Sequence, residues 1–235
     1  MIFLSCQANP GVIVISGNTM GTTYMIKINH EHEEILDAVV IKSKIDSILV
    51  QFNHVVSTYE PDSEISQFNI RKSTESFLLS ETLKIIVQRS LRIYELSNGA
   101  FDITIHPMVK LWGFGSDGPK WSPPDDDIIQ TLLSKIGSAG LTLDDDRLVK
   151  SHPDLEMDLS AVAKGYGVDI ITSYLHSLNY QDFMIEVGGE IYCSGDMSGK
   201  LWTIGIELPN DGVLPENKFA GIISLENKAL ATSGN

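Results

Sequence analysis

The chain has 235 residues, 43% of them hydrophobic, and a formal net charge of -14. That length and composition suffice for one sizeable core, with a single domain as the default, and no run of about 18 apolar residues is present to span a membrane. So acidic a chain lacks the clustered Lys and Arg that nucleic acid or an anionic membrane requires, and an anionic small ligand would need local help from a cation or a helix N-terminus.

The two cysteines, Cys6 and Cys193, form no CxxC pair, which disfavours zinc ribbons and thioredoxin-like chemistry. Nothing local points to a disulfide between them. The opening Met1-Ile2-Phe3-Leu4-Ser5-Cys6-Gln7 has the short apolar run, small residue and Cys that end a bacterial lipoprotein signal, but no cationic start and little of the apolar stretch. Residues 1–10 read either as a signal remnant or as an ordinary apolar N-terminus, with the domain at 11–235.

In chain order, Val12–Ile15 and the alternating Thr22–Ile28 predict strands, joined by a turn-rich Gly17-Asn18-Thr19-Met20-Gly21. Residues 33–56 predict a long helix whose apolar stripe starts at Ile35, Leu36, Val39 and Val40 and continues through Ile45, Ile48, Leu49, Phe52 and Val56. A loop follows over Ser57–Glu64. Leu83, Ile86, Val87, Leu91 and Tyr94 mark a second helix, with Ser80 as N-cap and Asn98-Gly99 as its stop.

Residues 99–124, dense in Gly, Pro and Trp, read as a functional loop region with one short helix. Asp125–Ile136 predicts a third helix with an acidic first turn. Leu141–Leu143 and Arg147–Lys150 flank Asp144-Asp145-Asp146 as a hairpin, and residues 158–178 predict a fourth helix. Strands follow at Phe183–Val187, Ile191–Ser194, Leu201–Glu207 and Ala220–Leu225, and Ala229–Asn235 reads as a strand running into a turn. Helices first and strands later predict an α+β fold with a mainly antiparallel sheet.

Three segments can carry chemistry. In Asp158-Leu159-Ser160-Ala161-Val162-Ala163-Lys164-Gly165-Tyr166-Gly167, Asp158 stands at the N-cap position and small residues leave room for a diphosphate at the positive helix end, with Lys164 as a point charge. The same pattern suits a capped helix packed on a sheet with Lys164 in solvent, and physics alone favours that simpler reading. In Gly99–Pro107 with Leu111-Trp112-Gly113-Phe114-Gly115, the rings of Phe101, Trp112 and Phe114 can wall a flat aromatic ligand while Asp102 and His106 hydrogen-bond it. An irregular apolar core under a loop is again the simpler alternative. Gly188-Gly189 between strands suits a bulge, a close ligand approach or a tight turn. No GxSxG elbow, P-loop or HExxH appears in the sequence, and the six histidines show no metal-ligand pairing.

Taken together these segments resemble the ApbE-type flavin transferases, formerly named thiamine-biosynthesis lipoproteins, over residues 12–235. The motifs run in order: Met20–Tyr24; Ser57-Thr58-Tyr59 through Ser66-Gln67-Phe68-Asn69; Gly99–Asp102 with Pro107 and Leu111–Gly115; Asp158–Tyr166 with Asp169; Gly188-Gly189-Glu190 with Gly195; Trp202 through Pro209; and Thr232-Ser233-Gly234. One such motif is weak evidence, whereas seven in order are specific.

The resemblance implies a T-fold-like α+β architecture with helices packed around an antiparallel sheet. It implies an enzyme that binds FAD and Mg²⁺ and transfers FMN to a Ser or Thr hydroxyl of a target protein, releasing AMP. The alternatives are an FAD pyrophosphatase giving FMN and AMP, and a non-catalytic flavin-binding lipoprotein. It implies flavin-nucleotide contacts from Met20, Tyr59, Ala100, Phe101, Asp102, Asp158 and Lys164, and a metal ligand from the backbone carbonyl of Ala161. The family's His, and the Asp and Thr that complete its metal site, are expected beyond Asn235, so the sequence reads as a C-terminally truncated member that binds FAD weakly and turns over little on its own. Family habit and the start of the chain imply an extracytoplasmic protein anchored by lipid on Cys6, with a cytoplasmic location as the alternative.

Overall fold

The structure, a computed structural model, describes residues 11–30, 37–115, 118–120, 122–208 and 219–232. Cys6, the helix start at Ile35 and Leu36, Pro209, and Ser233-Gly234 lie outside the described residues. The chain divides into two compact units, residues 1–49 with 164–235, and residues 50–163.

The first unit is built on a five-stranded antiparallel sheet of order β1-β2-β6-β7-β10: β1 (Val12–Thr19), β2 (Thr22–Asn29), β6 (Phe183–Val187), β7 (Glu190–Ser194) and β10 (Lys228–Leu230). One face of the sheet presents Ile15, Tyr24, Ile26, Ile28, Phe183, Ile185 and Val187 to helix residues. Those come from Ile41, Ile45 and Leu49 of α1 (Ala38–Val56) and Val168, Ile171 and Leu175 of α6 (Ser160–Ser177). The other face puts Met184 and Cys193 against Trp202 and Ile204 of β8 (Trp202–Glu207) and Leu225 of β9 (Phe219–Leu225). Because β6 is covered on both faces, Phe183, Met184 and Ile185 are all buried, which is why this strand opens with three apolar residues in a row before the half-buried Glu186.

Several expectations shift by a few residues for identifiable reasons. The first strand does not stop before Gly17 but pairs through Thr19↔Thr22, leaving Met20-Gly21 alone as the turn. Both turn residues have positive φ, 49° and 70°, the conformation that matches the twist of a two-residue hairpin. In α1 the stripe is Ile41, Ile45, Leu49, Phe52 and Val56, while Val39 and Val40 are exposed. The spacing from Ile41 keeps one face, whereas Val39 and Val40 fall a quarter-turn or more away from it.

The second unit contains the last residues of α1, then α2 (Glu64–Ile70), α3 (Glu81–Leu96), α4 (His106–Leu111), α5 (Asp126–Leu133) and a three-stranded sheet of order β3-β5-β4. Its strands are β3 (Phe77–Leu78), β4 (Leu141–Asp144) and β5 (Arg147–Lys150). Beyond the loop expected over Ser57–Glu64, residues 64–70 are helical because Ser63 caps them, accepting from the Ser66 amide at 3.2 Å. Ser80 caps α3 in the same way through the Leu83 amide. The α3 stripe is Leu83, Ile86, Val87 and Ser90, with Leu91 and Tyr94 half-buried.

Three helices end alike. After α3, α4 and α6, a residue with positive φ (Asn98, Gly113, Asn179) lets the following amide return to the carbonyl five residues back: Gly99 to Tyr94, Phe114 to Val109, Tyr180 to Leu175. This is the Schellman ending, and it explains the Asn-Gly and Trp-Gly-Phe order at two of these sites.

Gly17 lies opposite Tyr24, and a Cβ there would meet the Tyr24 ring at 2.6 Å. The ring crosses that space so that its hydroxyl can donate to Asp46 Oδ1 of α1 at 2.6 Å, beside Lys42. Burial first, then Asp46, pushes the Tyr24 hydroxyl up to about 12, so it stays protonated as the donor. Gly17→Ala is expected to lower unfolding free energy by about 1–3 kcal/mol through this clash. Urea denaturation reads the change, and a variant as stable as the parent would show that the ring can move aside without loss.

Candidate functional site

In the first unit, two hairpin turns lie at the same end of the sheet. Gly188-Gly189, with φ of 53° and 97°, turns between β6 and β7, and the Gly188 amide donates to Thr23 O at 3.1 Å. The glycine pair forms a tight turn, as one of its three readings expects. A Cβ on Gly188 would strike Thr22 at 2.6 Å, and one on Gly189 would meet Thr232 Oγ1 at 2.9 Å. Thr232 Oγ1 itself donates to Gly189 O at 3.1 Å.

Lys164 reaches this turn and is not free in solvent. Its Nζ donates to Gly188 O at 3.0 Å and stands 3.0 Å from Glu190 Oε2 as an ion pair. The pair is not aligned as a hydrogen bond, and Oε2 has no hydrogen-bond donor of its own. Met20, at the tip of the β1–β2 hairpin, lines an open hollow with Asn18, Thr19, Gly21, Thr22 and Thr23. Its thioether end lies where a Cβ on Gly167 would come within 2.8 Å. The small residues of α6 therefore include one whose purpose is to admit Met20.

In the second unit, three exposed aromatics stand on adjacent loops. Tyr59, Trp112 and Phe114 are all solvent-facing, and Tyr59 Oη donates to Phe114 O at 2.9 Å. Gly113 makes this loop possible, since φ is 80° and a Cβ would lie 2.4 Å from the Lys120 amide nitrogen. Ala100 is exposed and Phe101 half-buried, on the turn that follows α3.

Asp102 is the knot of the next turn. Its Oδ1 accepts from the Thr104 amide at 2.7 Å, Thr104 Oγ1 at 2.6 Å and Ser138 Oγ at 2.6 Å, and its Oδ2 accepts from the Ser138 amide at 3.0 Å. Thr104 Oγ1 in turn accepts from the Gly137 amide at 2.7 Å. Burial works to raise the Asp102 pKa, but the donors of Ser138 and Thr104 outweigh it and hold the carboxyl below its ordinary range. Three of the four donors occupy Oδ1, so Oδ2 is the oxygen with capacity left for a ligand.

Asp158 is buried and stands one residue before the cap position of α6 rather than at it. Leu159 O accepts the first helical amides, while Asp158 Oδ1 accepts from the Ser160 amide at 2.8 Å. Its Oδ2 faces His106 Nδ1 at 3.4 Å, also buried, and the Asp158 amide donates to Ile103 O at 2.7 Å. Burial again opposes ionisation, and the bonds from His106 and Ser160 reverse it, so Asp158 is held below the ordinary carboxylate range. His106 thus spends its Nδ1 on Asp158.

Ala161 is exposed in the first turn of α6. Mg²⁺ takes six oxygens in near-octahedral geometry, and among the described residues no group of three or more His, Cys, Asp or Glu side chains is placed to hold a metal. One helix carbonyl does not make that site.

The ordered motifs fall on these turns, loops and the α6 start, and a family comparison decides their meaning: the ApbE family matches residues 20–235. The chain belongs to the ApbE family. An FAD:protein FMN transferase of Vibrio cholerae is 36% identical over 236 residues, spanning 100% of this chain and 70% of that protein. One of Haemophilus influenzae is 34% identical over 237 residues, spanning 98% and 68%. The solved structure of the flavin transferase ApbE from Vibrio cholerae superposes with a TM-score of 0.87 at 38% identity, covering 95% of this chain and 72% of that one. The α+β fold with its antiparallel sheet is that of the ApbE structures.

Sequence reasoning does not single out Ser138, Glu190 as the partner of Lys164, or Lys150. Nothing local in Ser138-Ala139-Gly140 signals a partner for Asp102. Lys150 is detectable, because period two in Arg147–Lys150 places it on the face of the fully buried Leu148.

The Asp102 knot has a stability signature. Asp102→Asn replaces an acceptor with an amide that opposes the Ser138 and Thr104 donors, and is expected to cost about 2–3 kcal/mol near neutral pH. Since the folded carboxyl titrates below the ordinary 3.8, its contribution is fully present above that value and lost as pH falls through the lower folded one. Denaturation of both proteins from pH 7 to pH 2 should show the gap closing only at the acid end. A gap constant with pH would deny the charge this role.

Proposed function

We propose that this chain is an FAD:protein FMN transferase that moves FMN from FAD to a Ser or Thr hydroxyl of a target protein. The observation that carries the reading is family membership over residues 20–235 with relatives named for that activity. The hydroxyl oxygen forms a bond to the FMN phosphorus, the bridging P–O bond breaks, AMP leaves with the bridging oxygen, and the hydroxyl proton passes to solvent. Such a displacement depends on positioning and charge neutralisation more than on a strong nucleophile.

Within this reading the FAD contacts are Met20, Tyr59, Ala100, Phe101, Asp102, Asp158 and Lys164. Tyr59 offers an exposed ring, and its hydroxyl is already anchored on Phe114 O. Lys164 is the cation for the diphosphate, and an arriving phosphate oxygen would replace the Gly188 carbonyl or Glu190 at its ammonium. Mg²⁺ dependence, with the Ala161 carbonyl as one ligand, belongs to the same proposal and rests on the family resemblance. So does a lipid on Cys6 that holds the protein on the extracytoplasmic face of a membrane. No described helix is long and apolar enough to cross one.

The test uses the protein expressed from its own gene, incubated with FAD, Mg²⁺ and an acceptor protein bearing a Thr in the flavinylation position. Covalent flavin on the acceptor with equimolar AMP supports the transferase, and EDTA should abolish both. Free FMN with AMP and no labelled acceptor would make the protein a pyrophosphatase, and FAD retained without AMP would make it a binder. Lys164→Ala is expected to slow AMP release by about a hundredfold or more, as for loss of one charge-stabilising donor. Unchanged kinetics would remove Lys164 from the diphosphate site.

A further inference from the structure

We propose that Lys150 is a positioning residue which, with Asn69, fixes the backbone of residues 155–157 so that Asp158 is presented to the flavin nucleotide. The inference rests on the reading above, in which Asp158 contacts FAD.

Lys150 is only 1% exposed, at the inward end of β5. Its ammonium donates to Leu155 O at 3.0 Å and to Phe68 O at 3.1 Å, and sits 4.5 Å from the centre of the Phe68 ring. The next residue of α2 grips the same segment: Asn69 Nδ2 donates to Met157 O at 2.8 Å, and the Met157 amide donates to Asn69 Oδ1 at 2.7 Å. Asp158 follows directly, its amide on Ile103 O. The bonds of Lys150 and Asn69 in this series are all buried, so no water competes for these groups.

A buried ammonium is costly, and an apolar side chain of similar volume would often leave the core as stable or more so. Lys72 and Arg71 repel it from the end of α2, while Glu156 and Asp154 attract it from the segment it holds. Burial foremost, with that repulsion, pushes Lys150 down to about 8, so it is still mostly charged at neutral pH. Packing alone does not require a charge here. Two carbonyls on separate elements, one leading into Asp158, do require a donor that reaches both.

The decisive experiment is a double-mutant cycle on FAD affinity in the 235-residue chain, read by quenching of flavin fluorescence, with Lys150→Met and Asp158→Ala. If Lys150 acts through Asp158, Lys150→Met weakens FAD binding by about tenfold in the parent and by less than about twofold once Asp158 is alanine. Amide exchange should rise at residues 155–160 and stay unchanged across β4 and β5. Equal losses in both backgrounds, or no loss in the parent, would overturn the positioning role while leaving the functional reading intact. Asp158→Ala with parental affinity would overturn the reading that Asp158 contacts FAD, and this inference with it. If Lys150→Met does not fold, Lys150→Gln enters the same cycle with the same expectations.

Discussion

The central constraint in the first unit is that β6 is buried on both faces. A strand covered on one side tolerates polar residues on the other, but Phe183, Met184 and Ile185 have no solvent side to give. A one-residue slip against β2 or β7 would exchange the helix-facing and β8–β9-facing sets, which differ in shape and volume, so the register Tyr24↔Val187 and Val187↔Glu190 is fixed by packing. With that register set, both two-residue turns fall at the same sheet end, and Gly188 must lie against Thr22 and the Lys164 stem. The position of the Lys164 ammonium is thus a consequence of core packing more than of anything local to Lys164.

How much of this is legible in the sequence depends on the range of the interaction. Element existence follows from periodicity and caps: the alternation of β2, the Ser80 cap and the Asn98-Gly99 stop are local signals, and all appear as structure. Ser63, a cap of the same kind, is harder to read because the short helix it starts has few apolar repeats. The turn at Met20-Gly21 is narrower than composition suggests because Gly17 and Asn18 are turn-prone residues. Strand pairing overrides their preference, and Gly17 is there for the Tyr24 ring.

For the candidate site, the motifs name segments, and the structure adds partners within them that the motifs do not show. Asp102 reads as a ligand contact, and four internal donors already converge on it, two from Ser138, 36 residues further along. His106 reads as a ligand donor, and its Nδ1 faces Asp158. Lys164 reads as either a phosphate cation or a solvent lysine, and it is bonded to the Gly188–Glu190 turn. Each of these partners is distant in sequence, so no spacing rule can reveal it. The two family-implied aspartates share a pattern: each is buried enough to be penalised as an anion, and each is kept ionised by donors of its own unit.

The state of Lys164 bears on how so acidic a chain handles an anionic nucleotide. With a net charge of -14, the average field repels a diphosphate, and a lysine standing open in solvent would bind any passing anion weakly and without selection. Lys164 is instead partnered by Glu190, whose facing oxygen accepts no hydrogen bond, and by one backbone carbonyl. An anion arriving at Lys164 would have to displace one of these partners, so charge alone is a weak basis for selection there.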